Sequence, residues 1–365
     1  MQSILETYAD LLCRYCVDLQ PGDKLYIKTT TLAEPLVRAV YRRALAIGAI
    51  TEVDFSFCDQ DRWLLAEGND DQLSHVPILE SKAMATFDAY MFIKAPYNLK
   101  APIRSTLEKE QVRRQALKSL RQDYFSRSAS LDLKRTFCVY PTLTAAQEAG
   151  MSLEEYEHFV FSACGLFESD PMQFWLDLKA DQQRIVDLLN NRQKIRYQGP
   201  GVDISFSTAG RTWINSHGTT NMPSGEVYTS PVEDSVNGHI RFDYPLVYKQ
   251  SLIEDIAFKV EDGYIKEWEA SAGKDLLDEI MSVDGARRFG EAAIGTNRHI
   301  DQFTRNVLFD EKIGGTVHMA IGQSYAQAGG QNTSDLHLDI IKEMRHGGEI
   351  YADDELIYSD GNFIL

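Results

Sequence analysis

Near residue 193 the pattern of this chain changes, and that change limits its fold more than any other feature. Before it, apolar strand-like runs alternate with stretches of helical period; after it, short alternating strands and glycine turns take over. Strands that alternate with helices need crossover connections and so favour a parallel sheet, whereas closely spaced strands favour antiparallel pairing. Residues 1–192 are therefore expected to form an α/β domain with a mostly parallel sheet, and residues 193–365 an α+β domain. A chain of 365 residues is also long for one hydrophobic core.

The first half reads as follows. Ile4, Tyr8, Leu11, Leu12 and Tyr15 share one helical stripe, and Gln20-Pro-Gly-Asp23 is a turn. Strands are expected at 24–29, 51–57, 89–95 and 135–140, with helices at 32–46, closed by Gly48, and at 106–121. The largely helical segment 153–191 is expected to bridge the domains, and its aromatic residues Tyr156, Phe159, Phe161, Phe167, Phe174 and Trp175 read as core or interface packing. In the second half, strands fit 202–207, 211–215, 226–229, 238–244, 253–260 and 264–269; a helix fits 274–281 and a hairpin the C-terminal 348–365.

Composition excludes several classes of function. A net charge of −17 argues against a nucleic-acid partner, whose phosphates it would repel. No run of about 18 apolar residues is present, and the opening MQSILETYADLLCRYC lacks the order of a secretory signal. The expectation is a cytoplasmic protein with no membrane partner. Of five cysteines, only Cys13 and Cys16 are close in sequence, with no second pair to complete a zinc cluster, so they read as reduced thiols. Gly-x-Gly-x-x-Gly, the P-loop, His-Glu-x-x-His and Gly-x-Ser-x-Gly are all absent.

The chemistry gathers between Gly290 and Asp339, where Glu291, Glu311, His318, Tyr325, His337 and Asp339 lie beside short apolar runs. Carboxylates and imidazoles in such a setting are suitable ligands for divalent metals. In a strand, His337 and Asp339 would point to one side. Taken singly, each residue has an ordinary reading: a hydrogen-bonded strand histidine, a surface carboxylate after glycine, a solvated acid in Phe-Asp-Glu-Lys, a loop tyrosine.

Taken in order they resemble a family. Pro223-Ser-Gly-Glu226, Gly290-Glu291, Phe309-Asp-Glu311, His318-Met-Ala-Ile-Gly322 and His337-Leu-Asp339 are similar to the motifs of the thermophilic-type metallo-aminopeptidases, the aminopeptidase T and aminopeptidase S family. The N-terminal QPGDKLYIKTT run is similar as well, so the resemblance spans most of the chain. It implies two divalent ions (zinc, cobalt or manganese) held by Glu226, Glu291, His318, His337 and Asp339 in the C-terminal domain. It further implies Glu311 as general base, Tyr325 as active-site tyrosine, a peptide substrate cut from its N-terminus, and a homodimer. A metal-dependent hydrolase of another amide, or a non-catalytic member of the fold, are the alternatives. The chain departs from the pattern in its shorter length, in the KIGGTV run between Glu311 and His318, and in the short loop between Tyr325 and His337.

Overall fold

A computed structural model describes residues 3–101, 105–249 and 251–364. The chain divides into two compact units, Met1–Met172 with Gly218–Met222, and Gln173–His217 with Pro223–Leu365. The sequence reading put the domain boundary at 192/193; the units divide twenty residues earlier, and the long helix Pro171–Asn190 packs Ile185, Val186 and Leu189 into the second unit's core.

The first unit is built on a parallel sheet in which Lys24–Thr30 lies between Ile50–Ser56 and Ala89–Lys94, followed by Lys134–Val139. Alternation places Leu25 and Ile27 on one buried face and Tyr26 on the other, against Ala83, Met84, Phe87, Leu120 and Leu133. The first helix, Ile4–Leu11, starts at a Ser3–Glu6 capping box, and Glu34–Ile47 ends at Gly48 with φ +94. The helix expected over 106–121 is two, Leu107–Ala116 and Lys118–Ala129. Asn221–Met222 adds a short fifth strand beside Lys134–Val139.

All five cysteines are free thiols. Burial pushes Cys13 and Cys164 up to about 12, which leaves both as inert packing groups. Tyr156, Phe159, Phe161 and Trp175 are core residues, and Phe167 is exposed. Most of the aromatic run is thus buried in the chain.

The second unit packs two antiparallel sheets around one core. The eight-stranded sheet includes Val202–Ser207 between Asn237–Arg241 and Lys194–Gly199, and the C-terminal hairpin Glu349–Ala352 with Glu355–Ser359. The other sheet runs His337–Glu343, Thr316–Gly322, Phe289–Gly295, Glu226–Thr229, Ile214–Ser216. Its core face carries Val227, Ala292, Ile294, Val317, Met319, Ile321 and Ile340, which meet Ile195, Tyr197, Ile204 and Phe206 of the larger sheet. Among the described residues no helix is long and apolar enough to cross a membrane.

Candidate metal centre

Strand periodicity builds the centre. With Val227, Ala292, Val317, Met319 and Ile340 committed to the core, their neighbours Glu226, Glu291, His318 and Asp339 must face the opposite side of the same sheet. Register brings them together: Ala320 pairs with Glu291 on one side and Asp339 on the other, two residues from His318 and on the same face, while Gly322 pairs with His337. The small side chain of Ala320 leaves room between the two carboxylates. A register slip between Phe289 and Glu291 lets Phe289 stay in the core while Glu291 faces the site.

The glycines before the two glutamates have a steric reason. A Cβ on Gly225 would lie 2.6 Å from the Asn297 side chain, and one on Gly290 would lie 2.3 Å from the Gln323 carbonyl oxygen. Gly225 also has φ +117.

Two groups of donors result. Glu291, His337 and Asp339 form one; Glu226, Glu311 and His318 form the other, the donor atoms of each lying within 4.8 Å of one another. The His337 Nε2 is 3.0 Å from Glu291 Oε2 and 3.3 Å from Asp339 Oδ1. Its Nδ1 lies 2.7 Å from the Gln323 carbonyl, which fixes that nitrogen as the donor and leaves Nε2 facing the carboxylates. The His318 Nε2 is 3.7 Å from Glu226 Oε2, 3.8 Å from Glu291 Oε1 and 3.9 Å from Asp339 Oδ1, too far for hydrogen bonds.

These distances test whether the residues suit a metal. Neither ring nitrogen of His318 has a hydrogen-bond partner among the described residues, although the residue is only 1% exposed. A buried imidazole normally satisfies its polar atoms. Ligands at about 2 Å from a shared ion stand roughly 3–4 Å from each other. The imidazole and its three carboxylates have that spacing, and the donor set fits a divalent ion.

The electrostatics of these side chains follow from burial and crowding. Burial favours the neutral form of His318, but Glu291, Asp339 and Glu226 outweigh it and push the imidazole up to about 9. His337 is driven up to about 12, with Asp339 and Glu291 overcoming burial. Burial also opposes ionisation of Asp339, yet His337 beside it holds the acid down at about 2. Burial pushes Glu226 up, and pushes Glu311 up to about 8 against the pull of Lys312.

The KIGGTV run does not carry Glu311 away. The short helix Val307–Asp310 leads directly into Glu311, and Asp310 accepts hydrogen bonds from the Thr304 N–H (2.7 Å) and hydroxyl (2.8 Å), fixing the preceding loop. Ile313 bridges to Asn297, and Gly314-Gly315 turn the chain into Thr316–Gly322. Tyr325 stands over His337, with its hydroxyl 3.4 Å from Nε2 and its ring against Tyr228. Sequence reasoning missed two neighbours. Tyr228 is two residues after Glu226 on the same strand, so alternation alone could have found it. Lys312 is fully buried beside Glu226 and Glu311; a lysine after Asp-Glu reads as solvated, and only the flanking Phe309 and Ile313 hinted otherwise.

Outside the centre, His299 stacks on Phe174, while His239 and His346 are exposed. Arg287 and Arg288 bind the backbone carbonyls of Ile265 and Glu233, which gives both a structural role.

A family model described as thermophilic metalloprotease (M29) matches residues 1–363. The chain belongs to that family. Membership makes it a metallopeptidase, a hydrolase that works with a divalent metal. Among relatives of this M29 chain, Aminopeptidase 2 of Geobacillus stearothermophilus is 27% identical over 352 residues, covering 88% of this chain and 84% of that protein. Aminopeptidase PepS of Streptococcus thermophilus is 28% identical, covering 92% and 91%. The fold is that of wild-type AmpT from Thermus thermophilus, with a TM-score of 0.85 at 23% identity over 99% of both chains.

Proposed function

We propose that this M29 chain is an aminopeptidase acting through two divalent ions. The observation that carries the reading is the gathering of Glu226, Glu291, His318, His337 and Asp339 on one face of one sheet, in two adjoining groups. Glu291 lies between the groups, with Oε1 toward His318 and Oε2 toward His337. Zinc, cobalt or manganese there would supply Lewis acidity and a water ionisable near neutral pH.

The chain's own residues do the rest. Glu311 takes the proton of the attacking water and returns it to the leaving amine. Tyr325 donates a hydrogen bond from its hydroxyl to the oxyanion of the tetrahedral intermediate; burial, then Glu291, pushes its pKa well above that of an ordinary phenol, so it stays protonated. The relatives that the chain resembles are aminopeptidases, which supports a substrate with a free N-terminal amine. Reconstitution with each metal, followed by elemental analysis and assay of aminoacyl-anilides against their N-acetylated forms, tests the reading. Metal-dependent cleavage of the free amines alone is expected; metal-independent cleavage, or no stoichiometric metal, refutes it.

Metal affinity should rise with pH. His318 and His337, pushed up to about 9 and about 12 in the metal-free centre, hold protons at neutral pH, and a ligating imidazole must lose its proton. Each ion therefore displaces at least one proton, and its apparent Kd should fall by about tenfold or more per pH unit through the neutral range. Titration calorimetry in buffers of different ionisation enthalpy counts those protons. A pH-independent Kd would show that these histidines are not ligands.

A further inference from the structure

Lys312 sets the two halves of the centre apart. Its side chain is 0% exposed, its ammonium is hydrogen-bonded to the Glu311 carboxylate, and its Nζ is 3.8 Å from Glu226 Oε1. Glu226 thus turns one oxygen to the ammonium and the other, Oε2, to His318. The backbone holds the residue in place: its N–H donates to the Phe309 carbonyl (3.0 Å), and its carbonyl accepts from Asn297 N–H (3.2 Å). Among the described residues, no lysine or arginine nitrogen is paired with Glu291 or Asp339, whose partners are the two histidines.

We propose that Lys312 is an internal cation that competes with a metal ion for Glu226, so that the two halves load unequally. The Glu291–His337–Asp339 half fills first and tightly; the Glu226–His318 half fills second and weakly. This rests on the two-ion reading above and adds an order to it. The physical reason is local. A divalent ion on Glu226 would share a buried carboxylate with a fixed positive charge, and repulsion at such distances is poorly screened away from water. The ammonium cannot retreat into solvent, because the side chain has no exposed surface. The same charge also acts on Asp339, but less than on Glu226 and Glu311, so it penalises the His337 half less. A consequence is that activity depends on the supply of the second, weakly held ion.

The test is calorimetric titration of the metal-free full chain with cobalt(II), with the cobalt visible absorption recorded in parallel. Wild type should show two steps with affinities roughly tenfold or more apart. Lys312→Met, which keeps the bulk of the side chain and removes its charge, should tighten the second step by about tenfold or more relative to the first. Lys312→Gln serves the same purpose should the Met variant fail to fold. His337→Ala should abolish the tight step and leave the weak one, which assigns each step to its half. One ion in wild type and two in Lys312→Met would also support the proposal. Two equal steps in wild type overturn it, as does a second step in Lys312→Met that is no tighter, relative to the first, than in wild type. One ion in both proteins refutes the two-ion reading itself, and the Lys312 assignment with it. If no ion binds at any concentration, the two-ion reading itself fails, which separates that failure from the failure of the Lys312 assignment.

Discussion

Glu291→Ala is expected to remove both ions together and to lower kcat/KM by on the order of 10⁴-fold or more, since the metal-activated water and the carbonyl's Lewis acid disappear at once. Asp339 approaches both histidines with the same oxygen, Oδ1, whereas Glu291 turns a different oxygen to each. The Glu291 Oε2 is 3.0 Å from His337 Nε2 and its Oε1 is 3.8 Å from His318 Nε2, so one carboxylate faces a histidine in each group of donors. Glu226 approaches His318 but is not paired with His337 among the described residues, which makes it a one-ion ligand by the same argument. Elemental analysis of the reconstituted variant should give less than one ion per chain, with far-ultraviolet circular dichroism unchanged because Ala is accommodated on this strand beside Ala292 and Ala293. Retention of one tightly held ion would place Glu291 in a single half and leave the other half to Glu226 and His318 alone.

The fold was legible where one element carries its own periodicity. Val202–Ser207, with its strict alternation, and Lys274–Met281, with Leu277, Ile280 and Met281 on one side, have the limits that their patterns predict. What sequence could not supply was pairing between distant segments. Lys194–Gly199 pairs with Glu349–Ala352 on the far side of the unit's sequence, and two-residue Asn221–Met222 is a strand only because Phe137 and Cys138 offer it partners. The helix over 106–121 broke at Leu117 for no reason that its composition shows.

The centre divides in the same way. Strand alternation puts His337 and Asp339 together, and the Gly-Glu pairs mark positions where a side chain before the acid would collide with Asn297 or Gln323. Lys312 was illegible because its burial depends on how Ile313 and the two glycines fold back on Asn297, a contact between segments that no local pattern encodes.

Glu311→Gln should separate base from ligand. The substitution keeps shape and hydrogen bonding and removes the basic oxygen, so a general base at this position predicts loss of turnover by roughly 10²–10⁴-fold, little change in KM and full metal content. His337→Ala, by contrast, should lose metal and activity together, because Nε2 is the atom turned toward Glu291 and Asp339. Tyr325→Phe should keep metal and lose about 10²–10³-fold, the usual contribution of one oxyanion donor. The site makes the Glu311 outcome informative because two forces act on that carboxylate. Burial pushes it up to about 8 in the metal-free protein, while Lys312 pulls the other way. Divalent ions close by would add to the pull of Lys312 and free the carboxylate to accept a proton near neutral pH. Should Glu311→Gln lose an ion as His337→Ala does, Glu311 completes the Glu226–His318 half as a ligand, in keeping with its place beside those two donors, and the proton must be taken by another carboxylate of the centre.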